Sequence, residues 1–133
     1  MGSIFSDENR FAQWLEVELA ASEALAEAGV VPQSAAKALR GHAGFDVARI
    51  HEIESRVKHD VIAFTTAVAE KMAAAGVADS SRWLHYGLTS NDVVDTAQAL
   101  QIRDAAQIIE RDLVIFGEVL DLRAAAKPGA ARW

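Results

Sequence analysis

Two short segments of the sequence concentrate side chains that could bind an anion or move a proton. In Lys58-His59-Asp60, a cation, a group that titrates near neutrality and a carboxylate are adjacent. The segment from His85 to Ser90 places a histidine, Thr89 and Ser90 just before a long apolar-periodic stretch. The free backbone N–H groups of such a helix start favour a carboxylate or a phosphate. The simpler alternatives stay open: a surface histidine beside a cap aspartate in the first segment, and ordinary capping residues in the second.

Other sequence signatures of catalysis or cofactor binding are absent. The sequence contains neither G-x-x-x-x-G-K-[ST] nor G-x-G-x-x-G, so neither standard nucleotide loop is predicted. It also lacks H-E-x-x-H and G-x-S-x-G, the signatures of zinc proteases and of hydrolase elbows. We therefore expect no metal and no cofactor. His42 and His51 have no informative neighbours in sequence and are expected to face solvent.

Composition and charge restrict the class of protein. The 133 residues fit one soluble globular domain, with 51% hydrophobic and 24% charged residues. The net charge of −6 argues against a nucleic-acid-binding surface. No cysteine occurs, and neither a signal peptide nor an apolar run of roughly 18 residues is present. We expect a cytoplasmic protein that binds neither nucleic acid nor membrane.

The remaining pattern predicts an all-α chain, because good helix formers dominate and no strand-like alternation occurs. Four shorter helices are predicted: from Ser6 to Gly29, from Pro32 to about Arg40 with Gly41 as its stop, from the N-cap Asp46 to about Val57, and from the N-cap Asp60 to Gly76. Residues 77–89 are predicted to form a loop.

The last predicted helix is the longest. Thr89 and Ser90 are candidate caps, and Asp92 follows Thr89 at the spacing of a capping box. Apolar periodicity continues to about Ala126, which makes a helix of about 36 residues and ~54 Å, against ~30 Å for a small domain. The apolar stripe of this helix therefore needs packing partners, which downstream sequence or other subunits would supply. The tail, residues 127–133, is predicted to be irregular.

Two motifs carry a resemblance to a known family. Lys58 to Phe64 matches the pattern [RK]-H-D-V-x-A-F, and His85 to Thr96 matches H-[YF]-G-x-T-S-x-D-V-x-D-T. Residues 6–18 and 45–54 are similar to the preceding stretches of the same family, in the same order. The sequence resembles the adenylosuccinate lyases of the fumarase/aspartase superfamily, from about residue 5 to about residue 123.

The resemblance implies a fold and an oligomer. Residues 1–88 would form the N-terminal helical domain, and residues 89–126 the first long helix of the central helical bundle. The chain would be a homo-oligomer through that helix.

The resemblance also implies a reaction and a site. The reaction is β-elimination of fumarate from adenylosuccinate and from succinylated aminoimidazole carboxamide ribotide in purine biosynthesis, so adenylosuccinate, AMP and fumarate are the implied ligands. Lys58, His59 and Asp60 would line the site, with His59 as the catalytic residue near the reacting groups. Thr89 and Ser90 would bind the succinyl carboxylate, and His85 the nucleotide phosphate.

The sequence also departs from the family pattern. It lacks the downstream T/S-x-x-H motif and the G-S-S-x-M-P-x-K-x-N-P loop, which supply the general acid and the general base in the family. No Arg-Tyr pair precedes Phe5, and Lys58 stands where arginine is common. We therefore expect an N-terminal fragment that is inactive alone. A non-catalytic helical association module, or another lyase of the superfamily such as a carboxymuconate cycloisomerase-like protein, stays as an alternative.

Overall fold

The computed structural model describes residues 1–126, which are helical apart from short connections and contain no strand. The predicted all-α class is confirmed. The α-helices are α1 (Asp7–Glu27), α2 (Gln33–His42), α3 (Val47–Val57), α4 (Asp60–Ala74) and α5 (Ser90–Ala126), and 3₁₀ helices span Gly2–Phe5 and Ala78–Trp83. No helix within residues 1–126 is both long and apolar enough to cross a membrane. The predicted irregular tail, residues 127–133, lies outside the described residues.

Local capping chemistry sets most of the helix boundaries. Ser6 accepts a hydrogen bond from the backbone N–H of Asn9 at 3.3 Å, and Asp46 accepts one from that of Arg49 at 2.8 Å. Both predicted N-caps are therefore confirmed. Gly29 follows α1 with φ of 76° and confirms the predicted stop, because only glycine adopts the left-handed region without a steric penalty.

The predicted cap of α4 is wrong by one residue. Lys58 ends α3 in the left-handed conformation (φ 57°), so His59 becomes the extended residue before the helix, with φ of −148° and ψ of 118°. His59 is therefore the N-cap, and Asp60 is the first helical residue. The Asp60 carboxylate still accepts the backbone N–H of Val61 at 2.8 Å.

Two other boundaries also differ from the prediction. Helix α2 continues through Gly41 to His42, because the chain becomes extended only at Ala43. Part of the predicted loop 77–89 is a 3₁₀ helix, held by hydrogen bonds from Ser80 N to Val77 O (3.1 Å) and from Leu84 N to Ser81 O (3.0 Å).

The core lies between α1, α3, α4 and the first turns of α5. Its centre is aromatic: the Phe11 and Phe64 rings stack with their centroids 6.0 Å apart. The Trp14 ring meets them edge-on, at 5.3 Å from Phe11 and 5.6 Å from Phe64. Aliphatic side chains surround this group, with Ile50, Val68, Met72, Val93 and Ala97 all 0% exposed. This core fixes α1, α4 and α5 relative to one another.

Helix α5 is divided between a packed first half and an uncovered second half. Val93, Ala97, Gln101 and Ala105 are buried, and Gln101 Nε2 donates to the carbonyl of Ile4 at 2.6 Å. No residue of the described chain after Ala105 is buried. The exposed apolar side chains there are Ile109, Leu113, Val114, Ile115, Phe116, Val119, Leu120 and Leu122.

Candidate active site

The junction of α3 and α4 presents Lys58, His59 and Asp60 at the surface. The His59 Nδ1 atom accepts the backbone N–H of Ile62 at 3.4 Å and lies 3.5 Å from Asp60 Oδ1. The cap contact requires an unprotonated Nδ1, which leaves the ring proton of a neutral His59 on Nε2. His59 keeps 42% of its side chain exposed. This histidine can therefore present an Nε2–H group outward.

His85 is held by a buried carboxylate from α1. Glu18, which is 0% exposed, accepts the backbone N–H of His85 at Oε2 (2.7 Å), and Oε1 lies 2.6 Å from His85 Nδ1. Burial raises the pKa of Glu18, and the hydrogen bonds and charge of His85 act in the opposite direction. The His85 side chain is 26% exposed. The imidazole is therefore anchored at one nitrogen and accessible elsewhere.

A capping box closes the start of α5. The Asp92 carboxylate accepts the backbone N–H of Thr89 at 2.7 Å and its hydroxyl at 2.8 Å, and the Thr89 hydroxyl lies 3.4 Å from the backbone N–H of Asp92. The bonds from Thr89 lower the pKa of Asp92, and the charge of nearby His85 adds to this effect. His85 therefore lies close enough to the first turn of α5 to interact with it.

The same capping box restricts anion binding. The Asp92 carboxylate already occupies both donors of Thr89. The hydroxyl of Ser90 makes no hydrogen bond within residues 1–126. An anion at this helix start would therefore meet Ser90 before Thr89, or would displace Asp92.

The predicted site residues form two separate groups in the single chain. Within residues 1–126, no hydrogen bond or ion pair joins Lys58, His59 or Asp60 to the group of His85, Thr89 and Ser90. Lys58 lines a depression with His51 and Glu54. Asp60 instead lines a cleft whose walls come from α1, α4 and α5; its other lining residues are Arg10, Trp14, Val94, Gln98 and Gln101. This cleft connects the α4 start to α5, two turns beyond Thr89.

Two contacts of functional interest were not predicted from the sequence. His51, expected to face solvent without a partner, has its Nε2 atom 2.9 Å from Asp7 Oδ2 on α1, although 45% of its side chain is exposed. Glu18 was missed as well. A signal for it exists, because Glu18 lies seven residues after Phe11 and four after Trp14, on the buried stripe of α1.

No cluster of three or more His, Asp or Glu side chains suited to a metal ion occurs within residues 1–126. The available chemistry is that of hydrogen-bond donors and of two imidazole rings, His59 and His85, whose Nε2 atoms make no hydrogen bond within residues 1–126. Such an arrangement can bind and polarise a carboxylate or a phosphate.

Comparisons with known proteins agree with the motifs. The family model described as Lyase matches residues 1–128. The chain is 47% identical over 124 residues to an adenylosuccinate lyase of Bacillus subtilis (strain 168) and 45% identical over 124 residues to one of Staphylococcus saprophyticus. Each alignment covers 93% of this chain and 28% of the relative, so the chain spans just over a quarter of the length of these proteins.

Solved structures show the same similarity. The fold matches that of 3-carboxy-cis,cis-muconate lactonizing enzyme from Pseudomonas putida with a TM-score of 0.83 and 34% identity, over 92% of this chain and 28% of that one. It matches fumarate lyase from Mesorhizobium sp. BNC1 with a TM-score of 0.70 and 28% identity, over 83% of this chain and 26% of that one. The chain therefore belongs to the lyase family and corresponds to an N-terminal portion of a protein of the fumarase/aspartase superfamily.

Proposed function

We propose that this chain supplies one part of the active site of an adenylosuccinate lyase in purine biosynthesis. The reaction is β-elimination of fumarate from adenylosuccinate and from succinylated aminoimidazole carboxamide ribotide. Support comes from the 47% and 45% identity to two adenylosuccinate lyases. The observation that carries the proposal is His85, which Glu18 anchors beside the start of α5, where the Ser90 hydroxyl makes no hydrogen bond within residues 1–126. The chain alone is inactive, because the general acid and general base motifs are not in its sequence.

Each site residue has a role in this proposal. Ser90 and Thr89 bind the succinyl carboxylate, with Ser90 as the first donor because Asp92 occupies Thr89. His85 binds the nucleotide phosphate through Nε2. Lys58 and Asp60 line the site, and His59 is the catalytic residue that moves a proton at Nε2.

The proposal also includes an oligomer. Residues 1–88 form the N-terminal domain, and residues 89–126 the first helix of a central bundle. The exposed apolar side chains after Ala105 favour association through this helix, since patches of this kind mark interfaces. The two separate groups of site residues would then combine with residues of other copies.

A binding and activity experiment tests the proposal. AMP should raise the melting temperature of the chain, while fumarate release from adenylosuccinate should be undetectable. His85→Gln should reduce the AMP shift, and Ser90→Ala should reduce the shift caused by adenylosuccinate, whose succinyl carboxylate AMP lacks. The neighbouring exposed variant Asn91→Ala should keep both shifts. Fumarate release by the chain, purified free of host enzyme, would contradict its inactivity. An absent AMP shift, or one that His85→Gln retains, would contradict the nucleotide site.

A second candidate function is supported by the solved structures. The similarity to a muconate lactonizing enzyme, with a TM-score of 0.83, favours a lyase acting on a carboxylated diene acid. Stabilisation by 3-carboxymuconate without stabilisation by AMP would select this candidate. A chain that associates but responds to neither ligand would indicate a non-catalytic helical module.

A further inference from the structure

Glu18 lies in the middle of α1, and its side chain is buried in the protein core. The proposed reaction does not use it. Glu18 is 0% exposed. Placing a carboxylate in the interior is costly unless hydrogen bonds replace its lost water. Within residues 1–126, both of its hydrogen bonds come from His85, which lies 67 positions away in the sequence.

These two bonds constrain the backbone of His85. His85 has φ of 60°, in the left-handed region that residues other than glycine rarely adopt. The bond from its backbone N–H to Glu18 Oε2, at 2.7 Å, holds the chain in this conformation. A rare conformation persists only where surrounding contacts determine it, and Glu18 provides such a contact.

The second bond constrains the imidazole ring. The contact between Glu18 Oε1 and His85 Nδ1 is 2.6 Å, and a carboxylate can only accept hydrogen bonds. Nδ1 therefore carries a proton, and Nε2 lies on the opposite side of the ring. Nε2 has no hydrogen-bond partner within residues 1–126, and the side chain is 26% exposed.

We infer that Glu18 is a positioning residue, which fixes His85 with Nδ1 protonated and thereby directs Nε2 toward an anion bound beside the start of α5. The anion is bound by the doubly protonated ring, whose Nε2–H group donates to a phosphate oxygen while Nδ1–H donates to Glu18. Asp92 on α5 is a second carboxylate whose charge interacts with His85. The choice of anion rests on the proposed function, whereas the fixed protonation of Nδ1 does not.

The first test measures the protonation of the ring. Long-range ¹H–¹⁵N NMR spectra of the chain should show His85 Nδ1 protonated at neutral pH. In Glu18→Gln the side-chain amide can no longer accept both bonds, and His85 should become a mixture of tautomers. Glu27→Gln, an exposed change on the same helix, should leave the spectrum unchanged. An unprotonated Nδ1 in the unaltered chain would overturn the inference, even if Glu18→Gln failed to fold.

The second test measures binding of inorganic phosphate by isothermal titration. Loss of one charge-assisted hydrogen bond should weaken phosphate binding by about tenfold to a hundredfold in Glu18→Gln. Glu27→Gln should bind as the unaltered chain does. Equal phosphate affinity in Glu18→Gln, together with an altered tautomer, would overturn the role of Nε2. If phosphate does not bind the unaltered chain, the proposed nucleotide site fails, while the NMR result still decides the positioning role.

Discussion

Thr89 and Asp92 cap the start of α5 reciprocally: the Asp92 carboxylate lies 2.7 Å from the backbone nitrogen of Thr89 and 2.8 Å from its hydroxyl oxygen. Thr89→Ala should lower the free energy of unfolding by about 1 kcal/mol, because a helix N-cap loses its side-chain acceptor. Urea denaturation followed by circular dichroism measures this change. Thr96→Ala, at an exposed position on the same helix, is the matched control and should not destabilise the chain.

The same cap should depend on pH. The hydrogen bonds from Thr89 hold the pKa of Asp92 below its usual 3.8. A carboxyl group with a lowered pKa in the folded state contributes stability that is fully present above 3.8 and is lost as pH falls through the lowered value. The stability difference between the unaltered chain and Asp92→Asn should therefore be largest near neutral pH and shrink in acid. A difference that is constant between about pH 7 and about pH 3 would contradict this.

Helix boundaries were predicted well where they depend on neighbours in the sequence. Ser6, Asp46 and Thr89 each bond a group three residues away, so their roles follow from local spacing. Lys58 shows the limit of such spacing, because its left-handed conformation moved the start of α4 by one residue. The backbone conformation of a single residue depends on tertiary packing, which the local sequence does not specify.

The arrangement of the candidate site could not be predicted in the same way. His51 meets Asp7 across 44 positions, and His85 meets Glu18 across 67. These pairs depend on how α1 packs against α3 and against the segment before α5, which is a tertiary property. The burial of Glu18 was readable from its place on the apolar stripe of α1, but its partner was not.

The aromatic centre of the core should dominate stability. Phe64 is 0% exposed and stacks on Phe11, so Phe64→Ala removes a ring and leaves a cavity. We expect a loss of about 3–5 kcal/mol in the free energy of unfolding, measured by urea denaturation. Phe5→Ala, at a position 56% exposed, should change it by less than about 0.5 kcal/mol. Equal effects of the two changes would contradict the assigned core.

The seam between α1 and α5, where Ala97 is buried, should not tolerate a side chain larger than alanine at that position. Ala97 is 0% exposed on the packed face of α5, whereas Ala99 is exposed two residues later. Ala97→Leu should destabilise the chain by about 1–3 kcal/mol, because the close-packed neighbours must move. Ala99→Leu adds the same atoms in solvent and should be nearly neutral. Thermal unfolding of the two variants compares them directly, and a neutral Ala97→Leu would mean that this seam is loosely packed.

The uncovered half of α5 should drive association of the chain. Ile109, Leu113, Phe116 and Leu120 recur at steps of three and four residues and form one apolar stripe, with Leu113 64% exposed. Sedimentation velocity should therefore show oligomers whose fraction rises with concentration. Leu113→Glu should shift the chain to monomer, because it places a charge within the stripe.

The control for association adds the same charge elsewhere on the helix. Helical spacing of about 100° per residue puts Gln107 roughly 120° around α5 from Leu113 and further from the rest of the stripe. Gln107→Glu should therefore keep the oligomers that Leu113→Glu loses, while circular dichroism shows equal helix content in both variants. If the unaltered chain is a monomer at every concentration, association through α5 is refuted, because the apolar stripe then remains exposed to solvent. Oligomers that persist in Leu113→Glu would place the interface on another surface.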